Sequence, residues 1–233
     1  MNAWNIVRSA PPGRWNMLDA NTNKVTGYVM PVGNGAVGKT SLALTLERDT
    51  LPADWENTIR QVRKSQNLEF RYLCDQIEVN GQVYRVLQQY LVPPGQKEVE
   101  LAERSRTFED VIQIYQSIIR RVDVVLVSYK ITDIDTYHDV EYWLEKVNHI
   151  AHDKTSFIIV GTHLDLHMQR EVNDRMIKTG RDYVSTLMKN FKPSWKGYVT
   201  SIEVSNINGE NILQLRKLIS GSIILAAGIP VAG

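Results

Sequence analysis

Apolar positions recur along this chain in runs of distinct period. Lys24 to Val32 (KVTGYVMPV) is a short β-type run that stops at Gly33. Residues 39–48 (KTSLALTLER) carry Leu42, Leu44 and Leu46 among good helix formers, which predicts a helix. Residues 51–61 are punctuated by Pro52, Asp54 and Asn57 and read as a loop. From 68 to 74 the side chains alternate. Leu68, Phe70, Tyr72 and Cys74 fall on one face, Glu69, Arg71 and Asp75 on the other, with Leu73 the exception. A period of two predicts a half-buried strand with the Leu68–Phe70–Tyr72–Cys74 face inward. Asn80-Gly81 follows, a strong hairpin signal, and Gln82 to Val92 returns as a second strand, so 67–92 is expected to be a β-hairpin.

Pro93-Pro94-Gly95 breaks the chain. Residues 105–121 place Phe108, Val111, Ile112, Tyr115, Ile118 and Ile119 at helical spacing. Val122 to Tyr129 is a near-continuous apolar run, as for a strand covered on both faces. A helix is expected over 136–152, with Val140, Trp143, Leu144, Val147 and Ile150 inward, and a buried strand over 156–161. Beyond these come a helix over 169–191, a strand over 198–204 and a last helix over 210–226. Helices and strands alternate after residue 96, which predicts an α/β fold with a mostly parallel sheet, one antiparallel hairpin strand and helices on both faces. The expected organisation is an N-terminal extension over 1–23, one domain over 24–226 and a tail over 227–233.

One segment carries the chemistry. Gly33-Asn34-Gly35-Ala36-Val37-Gly38-Lys39-Thr40 matches the phosphate-binding pattern G-x-x-x-x-G-K-[ST], after a predicted strand and at the start of a predicted helix. The glycines let backbone N–H groups turn inward as an anion nest, and the helix N-terminus adds partial positive charge. Lys39 is expected on the β- and γ-phosphates and the Thr40 hydroxyl on Mg²⁺. The fold is therefore expected to be of the P-loop NTPase type.

Composition narrows the partners. Lys plus Arg is 27 and Asp plus Glu is 26 in 233 residues, so the net charge of +1 argues against nucleic acid or a membrane surface as a bulk-charge partner. The single cysteine, Cys74, can form no internal disulfide and no zinc cluster, and Met1 to Ala20 has no apolar run of the signal-peptide kind. An intracellular, cytoplasmic protein is expected. The apolar run Ile223 to Gly233 is too short to span a bilayer and reads as a docked final helix, and no C-terminal cysteine is present for a prenyl group, so no stable membrane anchor is expected.

Further segments resemble the Ras, Rab and Rho small GTPases, over about residues 24–226. GNGAVGKTSL (33–42) is similar to their P-loop, including Ser41. Thr58 lies 19 residues past Lys39, the interval of the family's switch I threonine, which implies a second Mg²⁺ ligand there. Gly95-Gln96 resembles the end of the switch II motif. Thr162-His163-Leu164-Asp165 resembles the [NT]-K-x-D guanine motif, and Glu203-Val204-Ser205-Asn206 with Gly209-Glu210-Asn211 resembles the second guanine loop. The resemblance implies a G-domain that binds GTP or GDP with Mg²⁺. It implies that Thr162 holds its loop together, that Ser205 supports Asp165, and that the Asn206 N–H meets guanine O6. It implies that Gln96, with Gly95 and Lys39, carries hydrolysis, and that Gly35 leaves room for Gln96 and for an arginine finger. Arg60 and Arg63 are candidates for such a finger and otherwise solvated loop charges. Effector, activating and exchange proteins would bind at the switch regions. Trp55 or Leu51 would cover the open face of the base, or pack within the loop.

The chain departs from the family twice. His163 stands where the family has Lys, which removes charge and reach. Val92 stands where the family has the switch II Asp, so the metal would rest on Thr40, Thr58, phosphate and water. In this second respect the segment resembles the prokaryotic MglA-type branch. Three functions follow: a slow GTP-hydrolysing switch; a guanine-nucleotide-binding module with little hydrolysis, favoured by Val92, Pro93 and Pro94; and a P-loop ATPase or kinase, disfavoured by Asp165 and Ser205.

Overall fold

A computed structural model describes residues 23–48, 51, 53–54, 56, 68–93, 108–115 and 121–230. The first strand, β1 (Asn23–Val32), leads through the glycine-rich turn into α1 (Lys39–Arg48). The hairpin follows as β2 (Glu69–Val79) and β3 (Gln82–Val92), turning at Asn80 and Gly81, which both take positive φ. Then come α2 (Phe108–Ile114), β4 (Val122–Lys130), α3 (Ile134–His138), α4 (Val140–Val147) and β5 (Ala151–Thr162). A 3-10 segment (Leu164–Gln169), α5 (Asp174–Phe191), β6 (Val199–Glu203) and α6 (Ile212–Ala226) complete the order.

The six strands form one sheet in the order β2-β3-β1-β4-β5-β6, antiparallel only between β2 and β3. Apolar side chains alternate along each strand to feed two cores, one per face. On one face α2, α4 and α5 bury Phe108, Val111, Trp143, Leu144, Val184 and Met188 against β4 and β5. On the other, α1 and α6 bury Leu42, Leu46, Leu215 and Ile219 against β1, β3 and β4. The mostly parallel α/β architecture with helices on both faces stands as expected. No helix among the described residues is long and apolar enough to cross a membrane.

Local readings need correction. On β2 the buried positions are Leu73, Asp75, Ile77 and Val79, while Tyr72 is 55% exposed. Leu73, the apparent exception to the alternation, belongs to the inward face, because α6 supplies Arg216 and Ser220 to make a buried Asp75 tolerable. The helix over 136–152 is two short helices meeting at Asp139, and it ends at Val147. From Ala151 the chain joins the sheet, because Ala151 pairs with Val122 and the Thr155 hydroxyl donates to Val122 O at 2.6 Å. Sheet pairing here overrides an amphipathic period. The helix expected from 169 begins at Asp174, where Asn173 accepts from Met176 N–H at 3.0 Å as its N-cap. The helix expected over 105–121 is described for 108–114; of the extension expected over 1–23, residues 1–22 lie outside the described residues and Asn23 already belongs to β1.

Gly161 on β5 faces Tyr129 on β4 across the pairing register. A Cβ on Gly161 would lie 2.7 Å from the Tyr129 hydroxyl and 2.9 Å from Ile131 Cγ2, and both residues are wholly buried. Gly161→Ala should therefore overpack the core and lower stability by about 1–3 kcal/mol. A denaturant midpoint unchanged from wild type would show that the tyrosine gives way freely.

Candidate functional site

The strand order reverses at β1, with β3 on one side and β4 on the other. In open α/β sheets the crevice at the carboxyl ends of such strands is where ligands bind. Gly33–Thr40 occupies it. Gly33 takes φ +141° and a Cβ there would lie 2.2 Å from Ser128 O on β4, so no other residue fits. Ala36 and Gly38 also take positive φ, with Val37 between them at negative φ. That alternation of hand is what turns N–H groups toward one concave side. Gly35 and Ala36 are exposed at the rim, Gly38, Thr40 and Ser41 are half-buried, and α1 begins at Lys39. Lys39 is itself buried; its ammonium donates to Gly33 O at 2.7 Å and Asn34 O at 2.6 Å.

Two further loops meet this turn. Thr162, at the end of β5, is fully buried, and its hydroxyl lies 2.8 Å from Val37 O and 2.9 Å from Tyr129 O. A hydroxyl has one proton, which goes to a carbonyl, so the His163 Nδ1 at 2.9 Å must donate to it. His163 is thereby held as the Nδ1–H tautomer. Burial lowers its pKa, Lys130 lowers it further, and Asp165 opposes them, so the ring is neutral near pH 7. It lies beside the turn, with Cε1 3.8 Å from where a Gly38 Cβ would be.

Asp165 sits in the 3-10 segment, half-buried, and accepts from Ser205 Oγ at 2.6 Å. Ser205 is wholly buried and its oxygen also accepts from the N–H groups of Ile207 and Asn208, both at 3.2 Å. Leu164 N–H donates to Val204 O at 3.1 Å, which ties the two loops along their backbones. The Asn206 side chain reaches Gly38 O at 3.4 Å, the weakest of these links. Thus Gly33, Asn34, Gly35, Ala36, Val37, Gly38, Lys39, Thr40, Ser41, Thr162, His163, Asp165, Ser205 and Asn206 form one neighbourhood. Thr58, Gly95, Gln96, Trp55, Arg60 and Arg63 lie outside the described residues, and with Gly95 and Gln96 the MglA-type reading of that segment.

For a metal, the Thr40 hydroxyl at the start of α1 is the one sequence-expected ligand within the described residues. Val92, at the end of β3, is buried in the apolar cluster with Val29, Leu42 and Leu46, so this strand brings no carboxylate to the crevice. No group of three or more His, Cys, Asp or Glu placed to hold a metal occurs among the described residues. A hydroxyl with phosphate oxygens and water is an all-oxygen set, which suits a hard cation such as Mg²⁺ that keeps waters readily.

Sequence reasoning missed two supports. Arg170 grips Glu203 with both nitrogens, at 2.6 and 2.5 Å, just before Ser205. Asn34 turns its side chain away from the loop, donating to Asp139 Oδ2 at 2.6 Å and accepting from Trp143 Nε1 at 2.7 Å. Spacing hides pairs so distant in sequence. The one available signal was Trp143 itself, since a buried indole N–H needs an acceptor.

The model of the family described as Ras family matches residues 107–192, which include Thr162 and Asp165 but not the glycine-rich turn over 33–40. Ras-related protein Rab-21 of Geodia cydonium is 26% identical over 196 residues, 84% of this chain and 71% of that protein. Ras-related protein RabG2 of Dictyostelium discoideum is 28% identical over 159 residues, 68% of each.

Proposed function

Because the chain belongs to the Ras-like small GTPase superfamily, we propose that it binds GTP and GDP at the carboxyl edge of its sheet and acts as a slow hydrolytic switch. The observation that carries this reading is the Ser205–Asp165 hydrogen bond on a frame shared, through Thr162 and Val37, with the phosphate cradle. It fixes a carboxylate relative to the glycine-rich turn, which supports a reading in which one frame holds both base and phosphates. Asp165 would accept from N1–H and N2–H₂ of guanine, and the Asn206 N–H would meet O6. Adenine has no 2-amino group and a bare N1, so it would leave the carboxylate facing a lone pair.

The phosphates would lie along residues 33–41, with the Lys39 ammonium, which has three protons, turning its remaining donor to them while it keeps its carbonyl rests. Mg²⁺, held by Thr40 and Thr58, would supply charge neutralisation there. Gln96 would orient the attacking water, beside Gly35, which has no side chain to obstruct it. Loss of the γ-phosphate would release the Thr58 and Gly95 segments, and effector, activating and exchange proteins would read the two shapes. A second reading, binding with little hydrolysis, is favoured by the buried Val92, which leaves the crevice end of β3 without a polar side chain to hold a metal-bound water.

Thermal unfolding in GTP, GDP and ATP, each with Mg²⁺ or EDTA, tests the reading. At a hundredfold excess over Kd, GTP should stabilise by about 2.7 kcal/mol. That corresponds to a midpoint rise of about 5–10 °C for a chain of this size. Stronger stabilisation by ATP defeats the reading. GTP binding with no phosphate release, unaltered in Gln96→Leu, selects the second.

A further inference from the structure

Asn34 enters the phosphate loop directly after Gly33, and its two ends face different ways. Its backbone carbonyl accepts from the Lys39 ammonium at 2.6 Å. Its side chain runs to the helices across the sheet, where Nδ2 donates to Asp139 Oδ2 at 2.6 Å and Oδ1 accepts from the Trp143 indole at 2.7 Å. The orientation of the amide is unambiguous, since an indole nitrogen only donates and an ionised carboxylate only accepts. Trp143 is buried, with its ring edge-on to Phe108 at 5.7 Å and to Tyr142 at 5.3 Å, so the donor does not wander. Asp139 is the junction of α3 and α4. The carboxamide is therefore pinned at both polar ends.

We infer that Trp143 and Asp139 are positioning residues for the phosphate-gripping lysine, acting through the Asn34 carboxamide. The inference rests on the nucleotide reading above. Asn34 O, like Gly33 O, is a carbonyl on which the ammonium rests, and pinning the Asn34 side chain restrains the backbone that carries it. A lysine held over the cradle loses less freedom when phosphate arrives. The signature is specific. Breaking the clamp weakens the hold on the phosphate tail and leaves base recognition by Asp165 alone.

Trp143→Phe keeps an aromatic ring against Phe108 and removes the donor; Asn34→Ala removes the carboxamide from a half-buried turn and guards against a core defect in the first variant. GDP and GMP affinities are measured by calorimetry below the unfolding range. Each variant should bind GDP about five- to tenfold more weakly, the worth of about one hydrogen bond. GMP binding should change less than twofold, and the double variant should be no weaker than Asn34→Ala. GDP affinity unchanged in Trp143→Phe overturns the proposal. So does an equal loss for GMP, or losses that multiply in the double variant. Solvent exchange of the Trp143 indole proton, followed by NMR without nucleotide, should quicken in Asn34→Ala; an unchanged rate overturns the clamp alone. Failure of the wild type to bind GDP overturns the nucleotide reading and this role together.

Discussion

Replacing Asp165 by Asn is expected to reduce the preference for GTP over ATP by about a hundredfold or more. A site built to hydrogen-bond one substrate rejects an analogue strongly, because the mismatch strands buried polar groups. The carboxamide introduced by the change would turn one acceptor into an NH₂ facing the donors of guanine. Its remaining oxygen can still take the Ser205 proton, a bond of 2.6 Å in the wild type, so the loop should keep its shape. A purine with a carbonyl at C2 would suit the variant, since its C2 oxygen accepts where guanine donates. Competition of GTP, ATP and xanthosine triphosphate for a fluorescent nucleotide provides the measurement. An unaltered GTP-to-ATP ratio in Asp165→Asn removes this carboxylate from base recognition.

The largest effect on stability is expected from Asp75→Ala. Asp75, beneath α6, and Arg216, on that helix, are 5% and 3% exposed. The Asp75 carboxylate accepts from Ser220 Oγ at 3.1 Å and from Gln76 N–H at 3.0 Å, with Arg216 Nη2 at 3.9 Å. Ser220 in turn accepts from Gln88 at 2.7 Å, and Tyr90 donates to Gln88. Removing the acid takes the nearby counter-charge from a buried guanidinium, which costs about 3–5 kcal/mol. The unfolding midpoint should fall by about 10 °C. Replacing both members, Asp75→Leu with Arg216→Met, should recover much of the loss, since apolar pairs of like volume often match a buried ion pair. A fall under about 1 kcal/mol for Asp75→Ala, or a double variant worse than the single, rejects this account.

The fold was readable where a single signal dominated. The Val122–Tyr129 run, the Asn80-Gly81 turn and the G-x-x-x-x-G-K-T segment each dictate local structure through side chains a few residues apart. Where the deciding contact is distant, periodicity misled. The face of β2 is set by Arg216 and Ser220, and the start of β5 by pairing with Val122. In the site, residue types came from local motifs, whereas the Arg170–Glu203 grip and the Asn34–Trp143 bond join elements far apart in the chain. Nothing in one sequence announces such pairs.

The network under α6 also restricts how the hairpin can travel. One strand position is about 3.3 Å, and a slide must move by two to keep the same face inward. Such a step would carry Asp75 roughly 7 Å along the sheet, away from Ser220 and Arg216. Asn80, at the hairpin tip, would have to leave Pro230 O as well, a bond of 2.8 Å. The hairpin is thus bolted at its middle and its tip, so it is held to the sheet and to α6 as one unit.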